Sequence, residues 1–118
     1  MPAPMNAAKP HSRANRGRSA VLVELPAAGC TLPVPALPPG REWSAAERAR
    51  WNELWQSPQA TQWDDAVRGT VAVLVTFEAA IFAGVATAWQ AQEARYASEA
   101  LGLTPRGLAQ LGWRIVDE

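Results

Sequence analysis

"GTVAVLVTFEAAIFAGVATAW", Gly69 to Trp89, is the stretch whose reading decides the fold. At ~20 residues it is long enough to cross a bilayer. Glu78 stands in its middle, however, and a carboxylate at that depth costs about 3 kcal/mol on insertion scales. After Phe77 the sequence turns mostly to small Ala and Gly, which add little hydrophobic gain, and no Lys or Arg cluster flanks either end. Read instead as two helices broken at Ala83–Thr87, with Gly84 at the turn, the stretch becomes the heart of a hairpin. Val67, Val71, Leu74 and Ile81 form one stripe at helical spacing; Val73, Phe77 and Ala80 form another. Two stripes require two neighbours, so this helix is expected to lie between subunits.

The flanks carry their own boundaries. The central helix is expected from Asp64 to Phe82, with Asp64 and Asp65 at its positive end. A third helix spans Ala86 to Leu101, with Trp89, Tyr96 and Ala100 on one side and Gln90, Glu93 and Arg95 on the other. Gly102 suits a left-handed stop, and Thr104-Pro105 supplies an N-cap and a favoured first helical residue. The last helix places Leu108, Leu111 and Ile115 on one face. Its Gly107 and Gly112 cost about 1 kcal/mol each against Ala, which implies close packing or a helix stable only when docked. Upstream, Ser44-Ala-Ala-Glu47 is a capping box opening a helix to about Gln56, with Trp51, Leu54 and Trp55 on its apolar face. Ser57-Pro58 ends that helix and starts a short helical turn through Trp63. The expected fold is all-α, a helical hairpin with short flanking helices.

Residues 1–40 hold eight of the ten prolines and read as a disordered or extended arm and linker; residues 41–118 read as the helical domain. Within the first part, "VLVEL" (Val21 to Leu25) reads as a short strand or a segment that docks on a neighbour. "TLPVPALPPG" (Thr31 to Gly40) reads as a polyproline-like spacer, its Pro35–Pro38 PxxP match included. Charge divides at the same place. Lys9, Arg13, Arg16 and Arg18 against Glu24 leave residues 1–40 at +3, and seven Arg against ten acids leave residues 41–118 at −3. A basic arm on a mildly acidic body points to a polyanionic partner. The single cysteine, Cys30, permits no intrachain disulfide and fits a reducing compartment. "SAVLVELPAAG" (Ser19 to Gly29) is too short, and too broken by Glu24 and Pro26, to read as a secretory signal.

Catalytic chemistry has little to work with. The one histidine, His11, lies in the arm and the one thiol, Cys30, in the spacer. No triad, metal-ligand spacing or phosphate loop is present, so no enzyme, cofactor or metal site is expected. Asp64-Asp65 point about 100° apart on a helix and read as dipole partners rather than metal ligands. Glu78 reads as one half of an intersubunit salt bridge or as facing a solvent gap. The six tryptophans follow helix faces and read as core and interface rather than base-stacking platforms. The arm is the electrostatic signal: Arg13, Arg16 and Arg18 fall within six residues, and Arg16-Gly17-Arg18 resembles the short elements that enter narrow minor grooves.

Three segments in order carry a family resemblance. Pro39-Gly-Arg-Glu-Trp43, the Trp-rich helix Trp51 to Pro58, and Gly102-Leu-Thr-Pro105 with its late Trp113 resemble the small terminase subunits of tailed phages, especially those of actinobacteria. The similarity spans about residues 38–118. It implies an all-helical protomer that assembles into a ring in the host bacterial cytoplasm. The ring recognises phage double-stranded DNA and loads it onto the large terminase subunit, which holds the ATPase and nuclease. Arg13, Arg16 and Arg18, then Arg106 and Arg114, are the expected DNA contacts; Val71, Leu74, Phe77, Ile81 and Trp89 are the expected protomer interface. The chain departs from the pattern after Thr104-Pro105, where relatives carry several arginines and this chain keeps Arg106 and Arg114. Nor does a helix-turn-helix precede Arg41. Two other readings stand beside this one: a helical protein-interaction adaptor without DNA binding, and a holin-like membrane protein built on Gly69 to Trp89.

Overall fold

The computed structural model describes residues 21–117. In chain order the elements are β1 (Val23–Pro26), α1 (Ala45–Trp55), two 3-10 turns (Pro58–Gln62 and Asp65–Val67), α2 (Arg68–Phe82), α3 (Ala88–Ala100), α4 (Pro105–Leu111) and β2 (Trp113–Val116). The architecture is mostly helical, as expected, with a small parallel sheet added.

Local chemistry sets the helix ends. The Ser44 hydroxyl accepts from the Glu47 amide and the Glu47 carboxylate accepts from the Ser44 amide, closing the capping box of α1. Thr87 and Gln90 do the same for α3, and Thr104 caps α4 through the Gly107 amide at 2.9 Å. Both hairpin helices end in the same stop. The Gly84 and Val85 amides return to the Ile81 and Ala80 carbonyls, and the Gly102 and Leu103 amides to the Glu99 and Ser98 carbonyls. That is the Schellman pattern, and Gly102 supplies its left-handed residue at φ 77°. Asp64 caps the Ala66 amide at the head of the short 3-10 turn rather than the long helix, which starts at Arg68.

The hairpin itself disposes of the bilayer-spanning reading. Residues 83–87 break the apolar stretch, and α2 is 15 residues long. At 1.5 Å per residue that is about 22 Å, short of a ~30 Å hydrocarbon core. Among the described residues no helix is long and apolar enough to cross a membrane.

Trp51, Leu54 and Trp55 of α1 pack on Val71, Leu74 and Val75 of α2 and on Ala94, Ala97 and Leu101 from α3 and its end. Trp55 meets Trp51 at 5.7 Å and the edge of Trp63 at 5.2 Å between ring centroids. The 3-10 turn then caps α3 from outside. Trp63 Nε1 donates to the Leu101 carbonyl at 3.1 Å, and Gln59 Nε2 to the Gly102 carbonyl at 3.0 Å. Carbonyls orphaned at a buried helix end thereby find donors.

Two expectations need correction. First, the division at residue 40 does not hold: residues 21–40 are packed onto the helical body. Trp51 Nε1 donates to the Pro35 carbonyl at 2.7 Å, Trp43 Nε1 to the Pro38 carbonyl at 3.1 Å, and Arg68 to the Ala36 carbonyl at 3.1 Å. Val34 and Leu37 pack against the core. A proline-rich segment offers more carbonyls than N–H donors, and buried indoles need acceptors, so the segment becomes a strap rather than a free spacer. Residues 1–20, the rest of the expected arm, lie outside the described residues.

Second, the last helix does not reach Ile115. Gly112 adopts φ 73° and ends α4 at Leu111; Trp113–Val116 then extends and pairs in parallel with β1, Val23 opposite Trp113 and Leu25 opposite Ile115. Leu25, fully buried, anchors β1, and "VLVEL" takes the strand option of its two readings. The helical spacing of Leu108, Leu111 and Ile115 was real but interrupted by a left-handed residue that no helix continues through.

Gly107 is the closest approach in this region: a Cβ added there would lie 2.4 Å from the Glu99 carbonyl oxygen. Intrinsic propensity favours Gly107→Ala by about 1 kcal/mol. Overlap with a backbone oxygen outweighs it, so the variant is expected to be less stable by about 1–3 kcal/mol. Urea denaturation measures this, and a stabilised Gly107→Ala protein would refute the close approach.

Candidate functional site

The residues expected to join protomers divide into two groups. Val71 and Leu74 are buried to 0 % and 2 % exposure in the chain's own core, beneath α1 and α3, and are not available to a partner. The stripe assigned to a neighbouring subunit is satisfied within the chain, because α1 supplies the covering layer. Phe77 is half-buried and meets Trp89 edge-on at 5.7 Å, while Ile81 and Trp89 remain on the surface. Sequence reasoning passed over the large apolar side chains most open to solvent among the described residues, Phe82 at 82 % and Val85 at 73 %, with Val73 and Tyr96 also exposed. The signal was present: apolar residues on both sides of the Gly84 turn cannot all fold back beneath it. From Ala79 to Gln92 there is no ionisable side chain.

The face of α2 toward α1 carries the ionic chemistry. Arg41 bonds both Glu47 oxygens, at 3.2 and 2.9 Å, and Thr76 Oγ1 at 2.9 Å, with its guanidinium 3.5 Å from the Trp43 ring centroid. Arg50 bonds Glu78 at 2.7 and 3.2 Å and also pairs with Glu53. Glu78 is therefore matched within the chain, not across a subunit boundary. A guanidinium fork fits two carboxylate oxygens at once, so the pair fixes how α1 crosses α2. The Arg41 bond, against an opposing contribution from burial and with help from the Ser44 amide, holds the Glu47 carboxyl below the usual carboxylate value. Glu78, opposed by burial, raises the pKa of Arg50. Among the described residues no three His, Cys, Asp or Glu side chains gather into a group able to hold a metal ion.

Of the expected DNA contacts, Arg13, Arg16 and Arg18 lie outside the described residues. Arg106 is exposed in the first turn of α4. Arg114, on β2, bonds Glu24 on β1 at 2.6 Å, both side chains more than half exposed. It is thus committed to a surface ion pair, of the kind worth ~1 kcal/mol or less. Arg106 thus lies at the start of α4 and Arg114 beyond its end, on β2.

The depressed Glu47 pKa gives a pH signature. Its folded value lies below its unfolded value, so the stabilisation is present at neutral pH and is lost as pH falls through the folded value. Glu47→Gln keeps an N3 side chain able to accept from the Ser44 amide but removes the charge facing Arg41. The variant is expected to be less stable at neutral pH and to lose less stability on acidification than the parent. Urea midpoints across the carboxylate range test this, and superimposable acid limbs would count against the pairing.

The chain matches no protein-family model, no curated protein and no solved structure.

Proposed function

We propose that this chain is a non-catalytic DNA-recognition adaptor of a phage packaging motor. As a small terminase subunit it binds phage double-stranded DNA through its N-terminal arginines and hands it to the large, ATP-hydrolysing and DNA-cutting subunit in the host cytoplasm. Its protomers act together as a ring. The observation that carries the reading is the charge division: three arginines within residues 13–18 precede a body that is net acidic and whose Arg41, Arg50 and Arg114 are ion-paired. The ordered resemblance from Pro39 to Trp113 supports it. Those same residues are structural here: Gly102 lies under the Trp113 ring and its carbonyl receives Gln59. One arm binds DNA weakly and with strong salt dependence; several arms on one assembly bind through avidity.

A second reading, a protein-interaction adaptor without DNA binding, is favoured by the uncovered Phe82 and Val85. Replacing Arg13, Arg16 and Arg18 together by Ala separates the two. Under the DNA reading the variant binds duplex DNA more weakly, and its log K against log salt slope flattens by about 0.9 for each phosphate that is no longer neutralised. Unchanged affinity and slope would move the DNA-binding surface to Arg106 and Arg114, and no binding by the parent at physiological salt would leave the adaptor reading.

A further inference from the structure

A cleft of about 170 Å³ lies between the proline-rich strap and the first 3-10 turn. The strap contributes Pro33 and Pro35, the helical body Trp55 and Trp63, and Asp64 and Asp65 stand exposed at its mouth. Trp55 is the exception among the tryptophans in and against the core. The indole N–H groups of Trp43, Trp51 and Trp63 each donate to a backbone carbonyl. Trp55 Nε1 has no hydrogen-bond partner, although the residue is only 7 % exposed. A buried donor left without an acceptor is costly and calls for one.

The mouth of the cleft is negative. Asp64 uses one oxygen on the Ala66 amide, and Asp65 meets Arg68 at 3.7 Å, so two carboxylates stand against one guanidinium. Aromatic rings beside carboxylates favour an organic cation, and an unpaired N–H favours a ligand that also brings an acceptor. An arginine within a peptide has both, a flat guanidinium and a backbone carbonyl.

We infer that the cleft binds an arginine of the chain's own Arg13–Arg18 segment, folded back onto the body. Charge favours this occupant: residues 1–40 carry +3 and residues 41–118 carry −3. Reach allows it. β1 packs against the 3-10 turn that carries the cleft residue Ala60, so the chain enters the described body beside the cleft. At ~3.3 Å per residue, Arg18 lies within about 10 Å of Val21 and Arg13 within about 26 Å. The guanidinium lies against Trp63 with Asp64 and Asp65 facing it, and the arginine's backbone carbonyl accepts from Trp55 Nε1. No solvent reaches that N–H, so docking includes a small rotation of the Trp55 ring. An arginine held in the cleft is not offered to a phosphate. The cleft and DNA therefore compete for the same side chains, and only this competition rests on the DNA-binding reading.

The test uses the full chain and its one thiol, Cys30, half-buried in the cleft wall. The rate at which Cys30 reacts with the neutral reagent N-ethylmaleimide is measured without DNA. The parent is compared with Arg13→Ala/Arg16→Ala/Arg18→Ala and with Asp64→Asn/Asp65→Asn, whose first asparagine still caps the Ala66 amide. Both variants are expected to react about fivefold faster than the parent, the factor that a partly exposed charge contact supplies. High salt should bring the parent up to them. In heteronuclear NMR spectra the Trp55 indole N–H should shift between the parent and the arginine variant. Urea midpoints matching the parent exclude unfolding as the source of faster reaction. Equal rates in the parent and the arginine variant overturn the inference, and protection by an added oligo-arginine peptide alone would assign the cleft to a partner's basic segment. Protection that grows with protein concentration would place a neighbouring copy's segment there and overturn it too. Duplex DNA then tests the competition: Asp64→Asn/Asp65→Asn is expected to bind about fivefold more tightly than the parent. The control is Glu42→Gln/Glu93→Gln, which removes as much charge away from the cleft; equal tightening by both pairs overturns the competition. A parent that binds no DNA removes the functional reading and leaves the Cys30 result, and with it the docking, standing.

Discussion

The hydrogen bond from Trp51 Nε1 to the Pro35 carbonyl is the interaction on which the rest of the structure depends. Trp51 is 2 % exposed, and an indole buried that deeply needs an acceptor that leaves the ring surrounded by apolar atoms. The proline-rich strap supplies one. Fixing Pro35 on Trp51 lays Val34 and Leu37 on the core and carries the preceding residues toward the far end of the chain. There β1 meets β2, and Leu25 is sealed. One polar interaction thus turns a low-complexity segment into the connection between the first and last described elements.

The helical body answers a related constraint. Helix ends inside a small domain leave carbonyls that water does not reach. At the end of α3 they are met by Trp63 and Gln59, from a turn whose proline prevents it from joining α1. Gly102 permits both the left-handed stop and the approach of Trp113, whose ring would lie 2.6 Å from an added Cβ. The carboxylates are engaged in the same way, Glu47 by Arg41 and Glu78 by Arg50, so the α1–α2 crossing is held by forked ion pairs over an apolar core. What this economy leaves open is the outer face and tip of the hairpin. Phe82, Val85 and Trp89 remain exposed there, and three arginines gather ahead of the body. The functional reading joins these two features.

Much of this was legible in the residues. The Ser44–Glu47 box, the Ser57-Pro58 break, the Gly84 and Gly102 stops and the Thr104-Pro105 start all act through groups within about four positions of one another. Their chemistry therefore does not wait for the fold. The hairpin and its flanking helices followed from these signals and from apolar spacing. The candidate site was legible only in part. Trp89 and Ile81 were picked out and are exposed, whereas Val71 and Leu74, chosen from an equally good stripe, are core. Periodicity shows that a face is apolar, not which neighbour covers it.

The sequence by itself determined the Ser44 and Thr104 caps and the Gly84 and Gly102 stops, that Glu78 makes the apolar stretch a poor membrane span, and that positive charge gathers ahead of the folded body. Tertiary structure decided the rest. It paired Glu24 with Arg114 across 90 positions, docked the strap on Trp43 and Trp51, ended α4 in favour of a strand, and put Val71 and Leu74 in the core while leaving Ile81 and Val73 exposed. The physical reason is range. Caps and turns are settled by bonds between near neighbours, but strand pairing, indole acceptors and the covering of a helix face depend on segments far away in the chain. Those segments meet only once the core has formed.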